Sequence, residues 1–487
     1  MRGAKFEGLG RRGAGRLAPL WPVLAFALLG GCVDAPSTTP REVAIEPAGL
    51  GLDSAATPAI ADTWWTAYGD PQLDALIAKA LAGSPTLAAA MARTRQAQSQ
   101  LSVSRAATYP QVNGDGLLLR ERLSEHFIAP PPIGGTTQWI GLTQASLSWS
   151  LDLFGKQAAQ IERARATAEA AALDAEAARL MLSGLVTQAY IWLWRADLLI
   201  DVARDAVKQR EGILGLTASR VRGGLDNPAS ERQAEALLAM ARQDLVRAEA
   251  DRDIAVHQIA ALIGRGADAY DIKRPQLDAA ALALPATLPA DLLARRADIA
   301  AAQARIAAAF AGREVARKAF YPDINLLGMA GFAAIGLGPL FTGSSLQYGG
   351  GAAIHLPIFD AGTLRAEYAG ATAGLDLAVA DYNTAVITAV QQTADALSEL
   401  RAAQDQASEQ RRALDASAAS LALATERYRS GLNPQSNVLD AESLVIDARR
   451  RDAALLAGTA SARVGLLMAV GGGFSSSSNP ARNPDHE

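Results

Sequence analysis

The chain has 487 residues, 50% of them hydrophobic and 20% charged, with a formal net charge of -4. That balance excludes the strongly basic face of a nucleic-acid binder, and a single cysteine, Cys32, excludes an intrachain disulfide. Aromatic residues make up only 5%, which is sparse for a compact enzyme core and natural for thin Ala-rich helical layers.

The N-terminus has three parts. Arg2, Lys5, Arg11, Arg12 and Arg16 form a basic start, an apolar run extends from Leu17 to Leu29, and Gly30-Gly31-Cys32 follows. The pattern predicts a secretory signal peptide over 1–31, the run being shorter than the roughly 20 residues of a bilayer span. Leu29-Gly30-Gly31-Cys32 resembles the bacterial lipobox, which implies a lipidated Cys32; the alternative is an ordinary signal peptide with an incidental cysteine. Val33 in place of aspartate favours, by resemblance to lipoprotein sorting rules, the outer membrane. Residues 32–60, rich in Pro, Thr, Ala and Gly, read as a tether with little structure. No later run reads as long and apolar enough for a transmembrane helix, so a membrane crossing would require a closed β-barrel.

Trp64-Trp65 reads as packing at a domain edge. Asp70-Pro71 starts a helix with Leu73, Leu76, Ile77, Ala80 and Leu81 at helical spacing. Gly83-Ser84-Pro85 breaks it, and a second helix runs from about Pro85 to Thr108, proline being well placed at a helix start. At Tyr109-Pro110 the period changes to two: Val112, Gly114, Gly116 and Leu118 alternate with Gln111, Asn113 and Asp115. After a Pro- and Gly-rich loop over 121–136, Trp139, Thr143, Leu147 and Trp149 alternate with Gln144, Ser146, Ser148 and Ser150. The two tryptophans lie roughly 33 Å apart along a strand, near the separation of the two aromatic girdles of a membrane barrel. A half-buried soluble hairpin has the same periodicity.

A proline-free, Ala-rich helix is predicted over 155–222, roughly 100 Å long at ~1.5 Å per residue. A turn at 223–228 leads to a returning helix over 229–263. Residues 266–290, with Pro275, Pro285 and Pro289, read as a linker. The second half then replays the first. A helix over Asp291 to Ala319 leads to Tyr321-Pro322, which repeats Tyr109-Pro110. Two more strands follow, carrying Ile324, Leu326 and Phe332, then Leu346, Ile354 and Ile358. A long helix over 363–430, a turn at 431–434 and a returning helix over 435–470 complete the copy, and 471–487 read as a disordered tail. The first repeat is thus 61–265, with its hairpin at about 109–152, and the second is 291–470, with its hairpin at about 322–358. Duplication decides the fold class: mainly α with a β-barrel portion. Four strands cannot close a membrane barrel, the smallest of which have about eight. A homotrimer would supply twelve strands and twelve staves of a continuing α-helical barrel.

Several stretches carry a family resemblance: Trp64-Trp65 with Asp70 and Leu73; Leu147 to Gly155 (LSWSLDLFG); Arg296-Ala297-Asp298-Ile299; Ala319-Phe320-Tyr321-Pro322; and Arg427-Tyr428-Arg429-Ser430-Gly431-Leu432 with Leu439-Asp440-Ala441-Glu442 behind it. In order and spacing they resemble the outer membrane efflux proteins, the TolC-like channels, and most closely their NodT/OprM-type lipoprotein branch. The resemblance covers essentially the whole mature chain. It implies a trimeric exit duct in the outer membrane of a Gram-negative bacterium, docked on a periplasmic adaptor and an inner-membrane RND-type pump, exporting small molecules and doing no chemistry itself. A type I secretion duct and a non-pore periplasmic coiled-coil scaffold are the alternatives.

No catalytic constellation stands out. His126, His257, His355 and His486 are scattered, without metal-ligand spacing, and no cofactor is expected. Sites should concentrate where the long helices reverse. Gly223, Gly224 and Gly431 suit positive φ at helix ends, and the resemblance adds adaptor contact there. It also places Asp440 at an aperture where carboxylate rings favour cations, with Asn437 where relatives carry a second aspartate, and Glu442 as a further candidate. Read without the resemblance, Asp440 is a helix-surface charge near an N-terminus. Tyr428 matches a tyrosine that helps hold the closed end in relatives. Its usual aspartate partner falls at Ser230 and a basic residue falls at Asn433, which puts the closed-state lock in question.

Overall fold

A computed structural model describes residues 38–46, 50, 60–126, 130–266, 272–278 and 295–474. The signal peptide, Cys32, most of 266–290 and residues 475–487 lie outside the described residues.

The duplication is visible in element lengths. Helix α1 (Pro71–Gly83) is followed by α2 (Pro85–Ala106), strands β1 (Gln111–Arg122) and β2 (Thr137–Leu151), and helices α3 (Lys156–Arg222) and α4 (Pro228–Leu262). The second copy comprises α5 (Ala297–Lys318), β3 (Asp323–Ile335), β4 (Leu346–His355), α6 (Thr363–Arg429) and α7 (Gln435–Ala469). Both α2 and α5 have 22 residues, α3 and α6 have 67, and α4 and α7 have 35. The second hairpin stops short of the expected Ile358 because Pro357 cannot donate to a ladder.

Compactness divides the chain across the repeats. Of the described residues, one unit holds those within Ser104–Gln160 and Ala311–Ala373 with 38–40; the other holds those within Arg41–Val103 and Ile161–Phe310 and from Gly374 to 474. In the first unit the strands form one antiparallel sheet in the order β1-β2-β3-β4. Val112 sits opposite Leu147, which sits opposite Gly328, and Ser148 sits opposite both Gln111 and Leu327. The expected apolar face therefore runs across the strands, whereas the polar face of the first hairpin meets apolar residues on β3, Ser148 opposite Leu327 and Ser146 opposite Met329. The polar face fades toward the loops, where Leu119, Ile140 and Ile335 fall in one cross-strand row. Trp149 is half-buried rather than free, and its ring N–H donates to the Thr108 carbonyl at 2.9 Å.

The second unit has the larger core. Trp64 and Trp65 are buried edge-to-face at 5.8 Å between centroids, packed with Leu73, Ile77, Tyr190 and Leu193. Asp70 ties this core together: it caps α1 by accepting from Gln72 N–H at 2.9 Å, and it accepts from the Tyr190 hydroxyl at 2.7 Å and the Gln276 N–H at 3.0 Å. Three expectations change here. The stretch 41–45, read as loose tether, is clasped on α6: Asp376 accepts from Arg41 and Glu42 N–H at 2.8 and 3.2 Å, and the Asn383 amide bonds both ways, to Ile45 N–H and the Val43 carbonyl. Gly471 and Gly472, read as the start of a disordered tail, are buried, with Gly473 half-buried, and a Cβ on Gly471 would collide with the Arg295 carbonyl. Helix α7 is, by length and composition, apolar enough to cross a membrane; Val445, Val464 and Leu467 instead turn its apolar side into the core.

Removing Asp70 takes away an N-cap worth ~1 kcal/mol and leaves the buried Tyr190 hydroxyl, which still accepts from Gln72 Nε2, without its own acceptor, at about 1–3 kcal/mol. Asp70→Ala is expected to lower the thermal midpoint of the detergent-extracted protein by several degrees, and Tyr190→Phe by clearly less. Equal losses, measured by circular dichroism, would contradict the hub role of Asp70.

Candidate functional site

Both long helices end in the same backbone motif. At the end of α3, Gly224 takes φ 67°, its N–H bonds the Val221 carbonyl, and Leu225 N–H reaches back to the Arg220 carbonyl at 2.9 Å. At the end of α6, Gly431 takes φ 72°, its N–H bonds the Tyr428 carbonyl, and Leu432 N–H reaches the Arg427 carbonyl at 2.8 Å. This is the Schellman arrangement, in which a residue in the left-handed region frees the chain to turn while satisfying the last carbonyls. Gly224 and Gly431 fill the role expected of them. Gly223 does not have positive φ. Asn227 then caps α4 by accepting from Ala229 N–H, with Pro228 at the first helical position.

The two helix ends are tied to each other. Tyr428, 1% exposed, donates its hydroxyl to Asp226 Oδ2 at 2.6 Å. Arg220 Nε donates to the same oxygen at 2.7 Å, and its Nη1 reaches the Tyr428 carbonyl at 3.3 Å. The Arg220 guanidinium also lies 4.6 Å from the Tyr428 ring centroid, close enough for a cation–π contact. Beside them, Gln435 Nε2 donates to Thr217 Oγ1 at 2.9 Å between two buried side chains. The aspartate partner of Tyr428 is thus present, but inside the turn at Asp226. Ser230, the position expected to supply it, is half-buried and satisfies Asn227 through its backbone N–H.

The remaining candidates separate by helix face. On α7, Asn437 and Asp440 are exposed, while Val438, Leu439 and Ala441 are buried. Glu442 falls on the packed side at 1% exposure, so it does not share the open face with Asp440, and its assignment to an aperture is corrected. It faces Arg210 at 3.8 Å, and Arg210 donates to the Leu237 carbonyl at 2.6 Å. Burial pushes the Glu442 carboxyl up, with Arg210 pulling it back only in part. Among the described residues, no group of three or more His, Cys, Asp or Glu is placed to hold a metal ion.

Electrostatics give the Asp226 link a pH signature. Burial by itself would raise the Asp226 carboxyl, but the hydrogen bonds from Tyr428 and Arg220 and the guanidinium charge outweigh it and hold the carboxyl below the ordinary range. A depressed value means that the link stabilises fully above about pH 4, the ordinary aspartate value, and is lost as pH falls through the lower folded value. The gap in thermal midpoint between wild type and Asp226→Asn is expected to be steady from neutral pH to about pH 5 and to close below about pH 4. A gap independent of pH would show that the carboxylate charge is not what holds the ends.

The sequence model of the outer membrane efflux proteins matches residues 76–265 and 288–472. The chain is 37% identical over 367 residues to the fusaric acid resistance protein FusA of Burkholderia cepacia, covering 72% of this chain and 69% of that one. It is 30% identical over 462 residues to the probable efflux pump outer membrane protein TtgC of Pseudomonas putida, covering 93% and 94%. Among solved structures, the outer membrane protein VceC of Vibrio cholerae superposes with a TM-score of 0.79 at 30% identity, covering 85% of this chain and 100% of that one. The open state of the Neisseria gonorrhoeae MtrE outer membrane channel superposes with a TM-score of 0.76 at 26% identity, covering 91% and 99%.

Proposed function

The chain belongs to the outer membrane efflux protein family, and we propose that this outer-membrane channel works as a homotrimeric exit duct, closed at the reversing ends of its long helices. Family members are channels rather than enzymes, and they serve efflux pumps. In this reading three sheets form one barrel with the Trp139–Leu147 face toward lipid, and the helices continue it into the periplasm. A periplasmic adaptor meets the turns at Gly223-Gly224 and Gly431, and an inner-membrane RND-type pump delivers small molecules through it. Cys32 carries the lipid. The observation that carries the closed state is the Arg220–Asp226–Tyr428 cluster. It joins the two helical hairpins of one chain, so a widening that parts them must break it.

Asp440 is the residue proposed to face the passage near that closure, with Asn437 one turn before it. A ring of three carboxylates in a narrow aqueous constriction draws cations and repels anions. In planar bilayers, Asp226→Ala and Tyr428→Phe are expected to raise open probability severalfold with cation preference unchanged. Asp440→Ala is expected to weaken cation preference, or to relieve block by multivalent cations, without raising open probability. Absence of conductance from well-folded trimer would overturn the channel reading for this chain. Unchanged ion selectivity in Asp440→Ala would remove Asp440 from the passage.

Lipidation has its own test. Cys32→Ser is expected to abolish metabolic labelling by palmitate, while the protein still folds around its Trp64–Trp65 core. Retained labelling would mean that Cys32 is not the acylated residue.

A further inference from the structure

Strand β1 ends in Arg120 and Arg122, two residues apart and so on one face of the strand, and Arg120 sits directly opposite Trp139. Its guanidinium lies 5.7 Å from the Trp139 ring centroid, a cation–π distance. Both arginines are exposed, and among the described residues neither has a carboxylate partner. Glu121 between them belongs to the other face, opposite Gln138. The arginine face is the outer one. Along β2, Trp139, Thr143, Ala145 and Leu147 are exposed, whereas Gln138, Ile140, Leu142, Gln144 and Ser146 between them are half-buried, as on the convex and concave sides of a curled sheet. The loop between β3 and β4 folds back onto the convex side. Leu340 is buried against Gly141, where an added Cβ would fall 2.7 Å from its Cδ2. Phe341 meets Phe332 edge-on at 5.9 Å between centroids, and Phe332 lies opposite Thr143. Phe341 still stands 70% exposed, and Leu118, opposite Gly141, and Leu346, opposite Phe332, are exposed as well.

We propose that this patch binds a phosphate-bearing, acylated lipid of the outer leaflet, its phosphate on Arg120 and Arg122 and its chains along Leu118, Phe341 and Leu346. The proposal rests on the barrel reading above and goes beyond it by assigning a ligand to the barrel's outer rim. Strands β2 and β4 lead into the long helices, so the hairpin tips stand at the far, outer end of the proposed duct. Depth along the strands fits the ligand. The row of Leu118 lies two residues below Arg120 and the row of Phe332 lies four below it, roughly 7 and 13 Å along the strand. Charge is above and apolar surface below, the order in which a lipid presents its phosphate and its chains. Guanidinium forks match phosphate oxygens two at a time, and Trp139 beside Arg120 stands at headgroup level, where tryptophan is enriched. A soluble anion would use the arginines alone and leave Phe341 bare, and a neutral lipid would use the apolar residues alone.

Native mass spectrometry of the detergent-extracted trimer tests the site with lipid A bearing its phosphates, lipid A stripped of them, and inorganic phosphate. Wild type is expected to hold phosphorylated lipid A on the order of tenfold more tightly than Arg120→Ser combined with Arg122→Ser, and that double variant is expected to bind the two lipids alike. Phe341→Ser is expected to weaken both lipids severalfold, and Arg93→Ser, on an exposed helix surface, is expected to weaken neither. Excess inorganic phosphate is expected to leave the lipid in place. Each result is read on particles of trimer mass. Equal retention of the two lipids by wild type, or unchanged retention by the double arginine variant, overturns the phosphate contact and with it the site. Loss of lipid to inorganic phosphate overturns the lipid in favour of a free anion, and an unaffected Phe341→Ser overturns the acyl shelf. Wild-type trimer that conducts in planar bilayers yet fails these comparisons sinks the lipid site and leaves the channel standing, whereas well-folded trimer without conductance sinks the barrel on which the site depends.

Discussion

A backbone amide in hydrocarbon has no water to turn to, and the strand part of this protein is arranged around that constraint. A chain with four strands satisfies the inner ladders and leaves two edges that cannot face lipid. Solubility devices common on edge strands, such as inward-pointing charges or a proline within the strand, are scarce on β4, which is instead rich in glycine and alanine. Such an edge is built to be covered. The same demand explains why the polar alternation of the hairpins survives beside an apolar one: a closed barrel has one lipid face and one wet face, and each strand must serve both.

Duplication extends this logic to the helices. Matched lengths for α3 and α6, and for α4 and α7, keep the two copies interchangeable as staves. The copies differ in the strands, 15 residues in β2 against 10 in β4, and in the side chains at the reversing ends. The first copy places an acid in its turn, at Asp226, and the second places a buried tyrosine before its turn, at Tyr428. Neither half is complete alone, so the repeats have diverged into the two partners of one contact. Elsewhere the second copy provides the docking for the N-terminal strap through Asp376 and Asn383, seven residues apart on α6 and so on nearly the same side of the helix.

Periodicity made the helices, the four strands and the duplication legible before any coordinates, because a period of two or of 3.6 is a local property. The helix ends were legible for the same reason: a left-handed residue asks for glycine. What sequence could not place were contacts set by packing between distant segments. Asp226 and Tyr428 are 202 residues apart, and nothing local distinguishes an acid in the turn from one a few residues later. The only available signal was an Arg and an Asp flanking Gly223-Gly224, close enough to pair across the turn. Glu442 was misplaced because the exposed and packed faces of α7 differ by only two positions, and an Ala-rich helix blurs the boundary. Bonds from side chains to an extended backbone leave no periodic trace, so residues 41–45 read as loose, and the buried glycines at 471 and 472 read as flexible because close approach and flexibility use the same residue.

The geometry at Asp226 sets what is lost when the two hairpins part. Both donors converge on one oxygen, Oδ2, but they belong to different hairpins: Arg220 shares the first hairpin with the acid, and Tyr428 comes from the second. When the hairpins part, the tyrosine leaves and the arginine stays. No carboxylate is stranded without a counter-charge, so the penalty of several kcal/mol for breaking an ion pair one-sidedly does not arise. What parts at Asp226 is a phenol hydrogen bond, a ring contact and the backbone bond to Tyr428, beside the neighbouring Gln435–Thr217 bond. In the proposed duct, a link that parts without stranding a charge would hold at rest and yield to a modest pull.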